Sequence, residues 1–234
     1  MTRLYQYIQV KLPTMGLIFR HNRGYFMHCM KTRDRIVQTS IELFNRNGVV
    51  AVTTNHIAKE LKISPGNLYF HFENKEEIIR HIFSLAAKET YNLWITKKNQ
   101  KLMHPLELIE KNFELFWKYR FFHREMYYLR RKDAILAKMW KAHIQKLTKL
   151  MTITYRKWLK QGWMSPIQSK SEIEFMVNVL LATASTFLQF FESSERQPAR
   201  VHIENGKVYV ARLLIPYTHA KVREEFEAFV FSKE

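Results

Sequence analysis

Between Lys62 and Glu77 the chain reads KISPGNLYFHFENKEE, and two helix starts are written into it. Ser64 can accept hydrogen bonds from the free amides of a first turn. Pro65, at the first helical position, loses nothing, because that N–H would have no partner in the helix. Asn74 is a second cap, with Glu77 three positions on as in a capping box, and Glu76 and Glu77 stand in the turn where the helix dipole favours acids. A helix that begins at Pro65 must therefore end on His71-Phe72, and a longer one runs from Lys75 toward Trp94. Upstream, RIVQTSIELFNRNG places Ile36, Val37, Ile41, Leu43 and Phe44 at helical spacing and Gly48 at the C′ position. VTTNHIAKELKI adds a short helix capped by Thr53 or Thr54, with Ile57, Ala58 and Leu61 inward. Two short helices joined by a tight turn and backed by a long one describe a helix-turn-helix, whose second helix can lie in a DNA major groove.

The remainder continues the helical pattern. Helices are predicted over HPLELIEKNFELFWKYR and FFHREMYYLRRKD, then from Ala134 to Gln161 with Gly162 as the stop, from Glu172 to about Glu192, and from Thr218 to Phe231. Pro166 and SPIQSKS mark a loop. SSERQPARVHIENGK reads as a loop with a helix starting near Lys207, although Asn205-Gly206 could instead turn a small hairpin. With only 6 Gly and 6 Pro the chain lacks the turns of an all-β protein, so the fold class is all-α.

The net charge of +17 suggests a polyanionic partner, and most of the excess lies in residues 81–163, where 18 Lys and Arg face 6 Asp and Glu. The single cysteine, Cys29, excludes an internal disulfide framework and agrees with a reducing cytoplasm. Residues 175–191 are uncharged but contain Asn178, Thr183, Ser185, Thr186 and Gln189, which suits a buried or interface helix better than a membrane span. Residues 1–30 carry no continuous apolar core of a secretory signal. No His-Glu-x-x-His, phosphate-cradling glycine loop or cysteine pair is present, so neither catalysis nor a metal or cofactor is implied.

Residues 33–79 resemble the DNA-binding domain of the tetracycline-repressor (TetR) family of bacterial transcription regulators. The helix-one Phe and Gly, the Thr before Ile-Ala, and the Gly-x-Leu-Tyr-x-His-Phe-x-x-Lys run stand in family order. The resemblance implies a sequence-specific DNA-binding regulator, a repressor released from a pseudo-palindromic operator by a small effector, acting as a homodimer in the cytoplasm at the nucleoid. Carried over to this chain, Gly66 lets the helix approach base edges closely, Asn67 hydrogen-bonds bases, and Tyr69 touches thymine methyls or phosphate. His71, Lys75 and a hydroxyl of Thr53 or Thr54 hold phosphates, while Pro65 and Lys62 add shape and charge. Phe70 stands where the family often has Tyr, so one phosphate hydrogen bond is missing.

The implied organisation is an extension over 1–29, a DNA-binding domain over 30–80, and a helical effector-binding and dimerisation domain over 81–234. Because MKTRDRIV at Met30 looks like a family start, the extension is either a misassigned start or a basic arm of Arg3, Lys11, Arg20 and Arg23 tracking a minor groove. Eight of the sixteen residues from Phe113 to Tyr128 are aromatic, and FWKYRFFHREMYYLRR resembles the C-terminal domain of a subset of the family. Trp94, Phe113, Trp117, Phe121, Tyr127, Tyr128, Met139, Trp140 and Tyr155 are the expected effector pocket. The positive charge of 81–163 makes an anionic amphiphile the expected effector. The wide apolar stripe of Ile173, Val177, Leu180, Ala184, Phe187 and Phe191, together with Phe226, is the expected dimer interface. From a different class, the alternative is a basic helical protein that docks on membranes or acidic partners without reading sequence.

Overall fold

The computed structural model describes residues 31–95, 100–166, 169–191 and 200–232. The proposed 1–29 extension, with its basic arm and Cys29, lies outside the described residues. Among the described residues ten α-helices follow one another: α1 (Thr32–Asn47), α2 (Thr54–Leu61), α3 (Pro65–His71), α4 (Lys75–Trp94), α5 (Pro105–Lys118), α6 (Arg120–Lys132), α7 (Ala134–Lys160), α8 (Lys170–Phe191), α9 (Arg200–Leu214) and α10 (Ala220–Phe231), with a 3-10 turn, Ile215–Tyr217, before the last.

The first four helices begin and end where their punctuation dictates. Gly48 closes α1 at φ 78 and ψ 156, a backbone conformation that costs a residue with a Cβ about 1–3 kcal/mol. Thr53 Oγ1 accepts from His56 N, and Thr53 N donates to His56 Nδ1, so a histidine completes the reciprocal cap of α2. Lys62, at φ 55, turns the chain, and Ser64 Oγ accepts from Asn67 N at the start of α3. Asn74 Oδ1 accepts from Glu77 N at 2.8 Å, whereas the Glu77 carboxylate reaches one residue further back, to Glu73 N at 2.7 Å.

Ile36, Phe44, Ile57, Leu68, Phe72, Ile78 and Ile82 fill the first core. That core does not stop at residue 80. Tyr119, Phe121, Phe122, Met126, Leu129 and Leu136 belong to it, so α6 and the start of α7 pack directly on the head. Polar bonds reinforce the junction. Buried Asn45, at the end of α1, donates to Lys118 O at 2.8 Å and accepts from Phe121 N at 3.1 Å. Glu125 accepts from Val49 N at 2.9 Å, and Arg80 pairs with Asp133 at 2.7 Å. The second core gathers residues of α5, α7, α8, α9 and α10.

The expected loop ahead of Lys207 is a helix instead, for α9 already runs from Arg200 through Asn205-Gly206. Gly206 is buried where α9 crosses α5 and α8. A Cβ placed there would stand 2.4 Å from Phe113 Cε1 and 2.7 Å from Phe187 Cδ2. The glycine permits a close helix crossing, and tertiary packing overrides the turn preference of Asn-Gly.

Candidate nucleic-acid interface and internal cavity

Only Leu68 of α3 is buried, which leaves the rest of that helix presented outward from a rigid base. Pro65, Gly66 and Asn67 are exposed, Tyr69 is 49% exposed and Phe70 84%. The nearest atom to a Cβ built on Gly66 is Ser64 Oγ at 3.9 Å, so open space fronts the glycine. Tyr69 OH lies 2.9 Å from Thr54 Oγ1, which ties α3 to α2 and holds the phenol in place. Thr53 is an exposed residue whose hydroxyl caps α2, and Lys62 is exposed at the turn. His71 is half-buried, its ring edge-on to Phe70.

Lys75 departs from the expected arrangement. Its Nζ donates to Val49 O and Val52 O, both at 2.9 Å. The ammonium thus satisfies two carbonyls of the α1–α2 turn and is a brace inside the head. A single sequence cannot separate that role from phosphate binding, since a lysine suits both.

The body encloses a cavity of about 410 Å³. Four of the nine expected residues line it: Trp94, Phe113, Tyr127 and Trp140. The other five are placed elsewhere. Phe121 packs on Phe44 in the head-side core, with ring centroids 5.3 Å apart, and Met139 packs against the same core. Trp117 lies under the guanidinium of Arg120 at 4.3 Å, and Tyr128 is exposed beside Lys132. Tyr155 is buried, with its hydroxyl donating to Ser165 O at 3.0 Å; burial raises its phenol far above the ordinary range. Aromatic clustering in sequence pointed to the correct region, but helical phase divides those rings among two cores, the surface and the void.

Several lining groups carried no sequence signal. Asn112 accepts from Trp94 Nε1 at 3.2 Å and donates to Leu108 O. His143 Nδ1 lies 2.9 Å from Tyr91 OH and packs against Phe83 and Trp140. His123 sits on Phe116, ring centroids 4.4 Å apart. Burial pushes both imidazoles down to about 4, with Lys146 adding to the effect at His143. Both rings are therefore neutral at physiological pH. Tyr119 also lines the void; its phenol is raised by burial and donates to Glu89 Oε1 at 3.0 Å.

The expected dimer stripe is turned the other way. Ile173, Val177, Leu180 and Phe187 are buried in the protomer's own second core, as is Phe226 of α10, and Leu180 and Ala184 line the cavity. Those side chains are not free to meet another chain. Phe191 ends α8. The outward face of the same helix carries Phe175 and Phe190, 63% and 75% exposed. With Val179, Tyr209 and Leu213 they line an open groove of about 780 Å³ between α8 and α9. Residues Ser171–Phe190 are long and apolar enough to cross a membrane by length and composition; only 33% of that stretch is buried, which reflects this outward apolar face.

Comparison with known proteins places the whole chain in context. The family described as "Bacterial regulatory proteins, tetR family" matches residues 36–82, and that described as "Bacterial transcriptional repressor" matches residues 76–226. A crystal structure of a TetR-family transcriptional regulator from Marinobacter aquaeolei VT8 superposes with a TM-score of 0.77 at 30% identity, covering 88% of this chain and 100% of that one. The HTH-type transcriptional regulator QacR of Staphylococcus aureus is 38% identical over 71 residues, 30% of this chain and 37% of that protein. The probable acrEF/envCD operon repressor of Escherichia coli is 35% identical over 54 residues, 23% of this chain and 24% of that protein. The chain thus spans well under half the length of these two relatives.

Proposed function

This chain belongs to the TetR family of bacterial transcriptional regulators, and on that premise we propose that it is a sequence-specific DNA-binding repressor, released from its operator when a small, largely apolar effector fills the body's cavity. The observation that carries the reading is the outward face of α3. Gly66, Asn67 and Tyr69 stand exposed on a helix fixed by Leu68 beneath, by the Ser64 cap and by the Thr54–Tyr69 contact. Thr53, Thr54, Lys62, Pro65 and His71 flank that face as phosphate and shape contacts, while Lys75 supports it from within.

Two copies are needed, because one half-site of a few base pairs offers too little discrimination. The homodimer forms over the groove of Phe175, Val179, Phe190, Tyr209 and Leu213, where apolar surface is exposed on two long helices. The site of action is the cytoplasmic nucleoid.

Effector and operator communicate through α6 as well as through α4, which joins head and body. One face of α6 lines the cavity with Phe122, His123, Met126 and Tyr127. Its other face grips the head through Phe121 and Glu125. An occupant that displaces α6 moves α1 with it, and DNA release follows to the extent that the effector prefers the displaced state.

Gel shifts with DNA upstream of the chain's own coding region, repeated across salt concentrations, test the reading. A regulator keeps its site preference after nonspecific binding has been salted away. The alternative, docking on membranes or acidic partners, draws on α7, which carries seven Lys and Arg and no acid. Uniform loss of all DNA binding with salt would favour it.

A further inference from the structure

The positive charge of residues 81–163 is not in the cavity. Lys138, Lys141, Lys149 and Arg156 of α7 are exposed on the outside of the body, and among the described residues the only formally charged side chain lining the void is Arg130. Among the described residues no carboxylate lines it. The neighbouring acids are engaged elsewhere: Glu89 binds Lys118 and Tyr119 OH, and Glu125 binds Val49 N. The imidazoles of His123 and His143 are uncharged.

The walls also have a direction. All the lining side chains are buried or half-buried except Tyr127, Thr186 and Gln189, so the rim lies where α6 passes the C-terminal half of α8. Arg130 is on the same face of α6 as Tyr127, one turn on. Its guanidinium lies 5.1 Å from the centre of the Trp140 ring, and its Nε donates weakly to Met126 O at 3.4 Å. Behind that rim the lining is mostly apolar, with Phe83, Trp94, Phe113, Phe116, Leu147 and Trp158, and its polar groups are uncharged. A half-buried guanidinium with no carboxylate beside it among the described residues, at the exposed edge of an aromatic chamber, suits a ligand with one acidic head and an apolar body.

We infer that the cavity takes a monoanionic amphiphile, its acidic head paired with Arg130 at the rim and its apolar body in the aromatic interior, and that it refuses cationic amphiphiles of the same shape. This rests on reading the cavity as the effector site. Cations are refused because, among the described residues, no acid lines the void to offset the loss of their hydration, and the one charge there repels them.

The test uses the full chain and three probes of one tail: dodecanoate, dodecanol and dodecyltrimethylammonium, all below their micellar concentrations. Binding is read from tryptophan fluorescence and calorimetry. Dodecanoate is expected to bind about tenfold or more tighter than dodecanol, the yield of a charge-assisted pair, and the ammonium more weakly than either. Arg130→Gln should bring dodecanoate down to the level of dodecanol without altering dodecanol or the melting temperature; Arg130→Lys should restore part of the difference. Ala184→Phe, which narrows the void, should weaken binding of both dodecanoate and dodecanol. The inference is overturned if the ammonium binds as well as the carboxylate, if the carboxylate keeps its advantage in Arg130→Gln, or if none of the three binds. Operator affinity in the same preparations separates the two readings. A carboxylate that binds through Arg130 yet leaves operator affinity unchanged strikes the effector reading and leaves the ligand class standing. Release by the ammonium alone does the reverse.

Discussion

In the head, from Thr32 to His71, the exposed large apolar side chains are Val50, Tyr69 and Phe70. Its functional chemistry stands on the outside of a closed core, held by caps and turns only a few residues apart in sequence. The body is arranged inversely. Its candidate chemistry faces an internal void bounded by α4 through α9, and each wall residue depends on helices far away in the chain. The contrast teaches that substitutions on the head's outer face should change binding with little effect on folding. In the body the same positions serve stability and ligand recognition together.

The largest expected break in that contrast is Leu180→Arg. It places a charge in the second core and should cost about 4 kcal/mol or more, visible as loss of cooperative urea unfolding. On the same helix, Phe175→Arg faces the groove and should change stability by about 1 kcal/mol or less while converting dimer to monomer in sedimentation. Should both variants be folded dimers, the inward and outward assignment of α8 fails.

Next in size is the head. Gly66→Glu combined with Tyr69→Ala should lower operator affinity about 100-fold or more, the equivalent of two lost base contacts, with a stability loss of only about 1 kcal/mol from the Thr54–Tyr69 bond, because open space fronts Gly66. Gly206→Ala should show the opposite pattern, a loss of about 1–3 kcal/mol from overpacking against Phe113 and Phe187, measured by denaturation, with operator contacts intact.

A pH series sharpens the body's side of the comparison. His123 and His143 are held neutral, with pKa values pushed below the unfolded 6.5 to about 4. The unfolded chain therefore binds more protons between those limits. Stability from these groups is fully present above about pH 6.5 and declines as the pH falls toward 4. His143→Asn should flatten that decline in thermal melts. The smallest effect is expected at Lys75→Gln. It should cost about 1–2 kcal/mol of head stability through two weakened carbonyl bonds, while the salt dependence of DNA binding stays unchanged. A reduced slope would return Lys75 to the phosphates.

Much of the head was legible because its signals are local. Ser64, Pro65 and Asn74 act on amides within three or four residues, and α3 and α4 begin where those residues dictate. The body was legible only as helices. Its apolar stripes could not say which stripe faced inward, since α8 is apolar on both sides: Val177 and Leu180 were expected at the interface and lie in the core, while Phe175 and Phe190 face out. Asn205-Gly206 reads as a turn until Phe113 and Phe187 are seen to require a glycine there.

By itself the sequence determined the helical class and the order and limits of the head's helices, because capping and periodicity act over a few neighbouring positions. Only tertiary structure decided which aromatics meet around a void, which lysine becomes a brace, and which face of α8 remains open. Those outcomes depend on the relative phase of helices brought together from distant parts of the chain, and side chains identical in type fill a core, a cavity wall or a groove according to that phase alone.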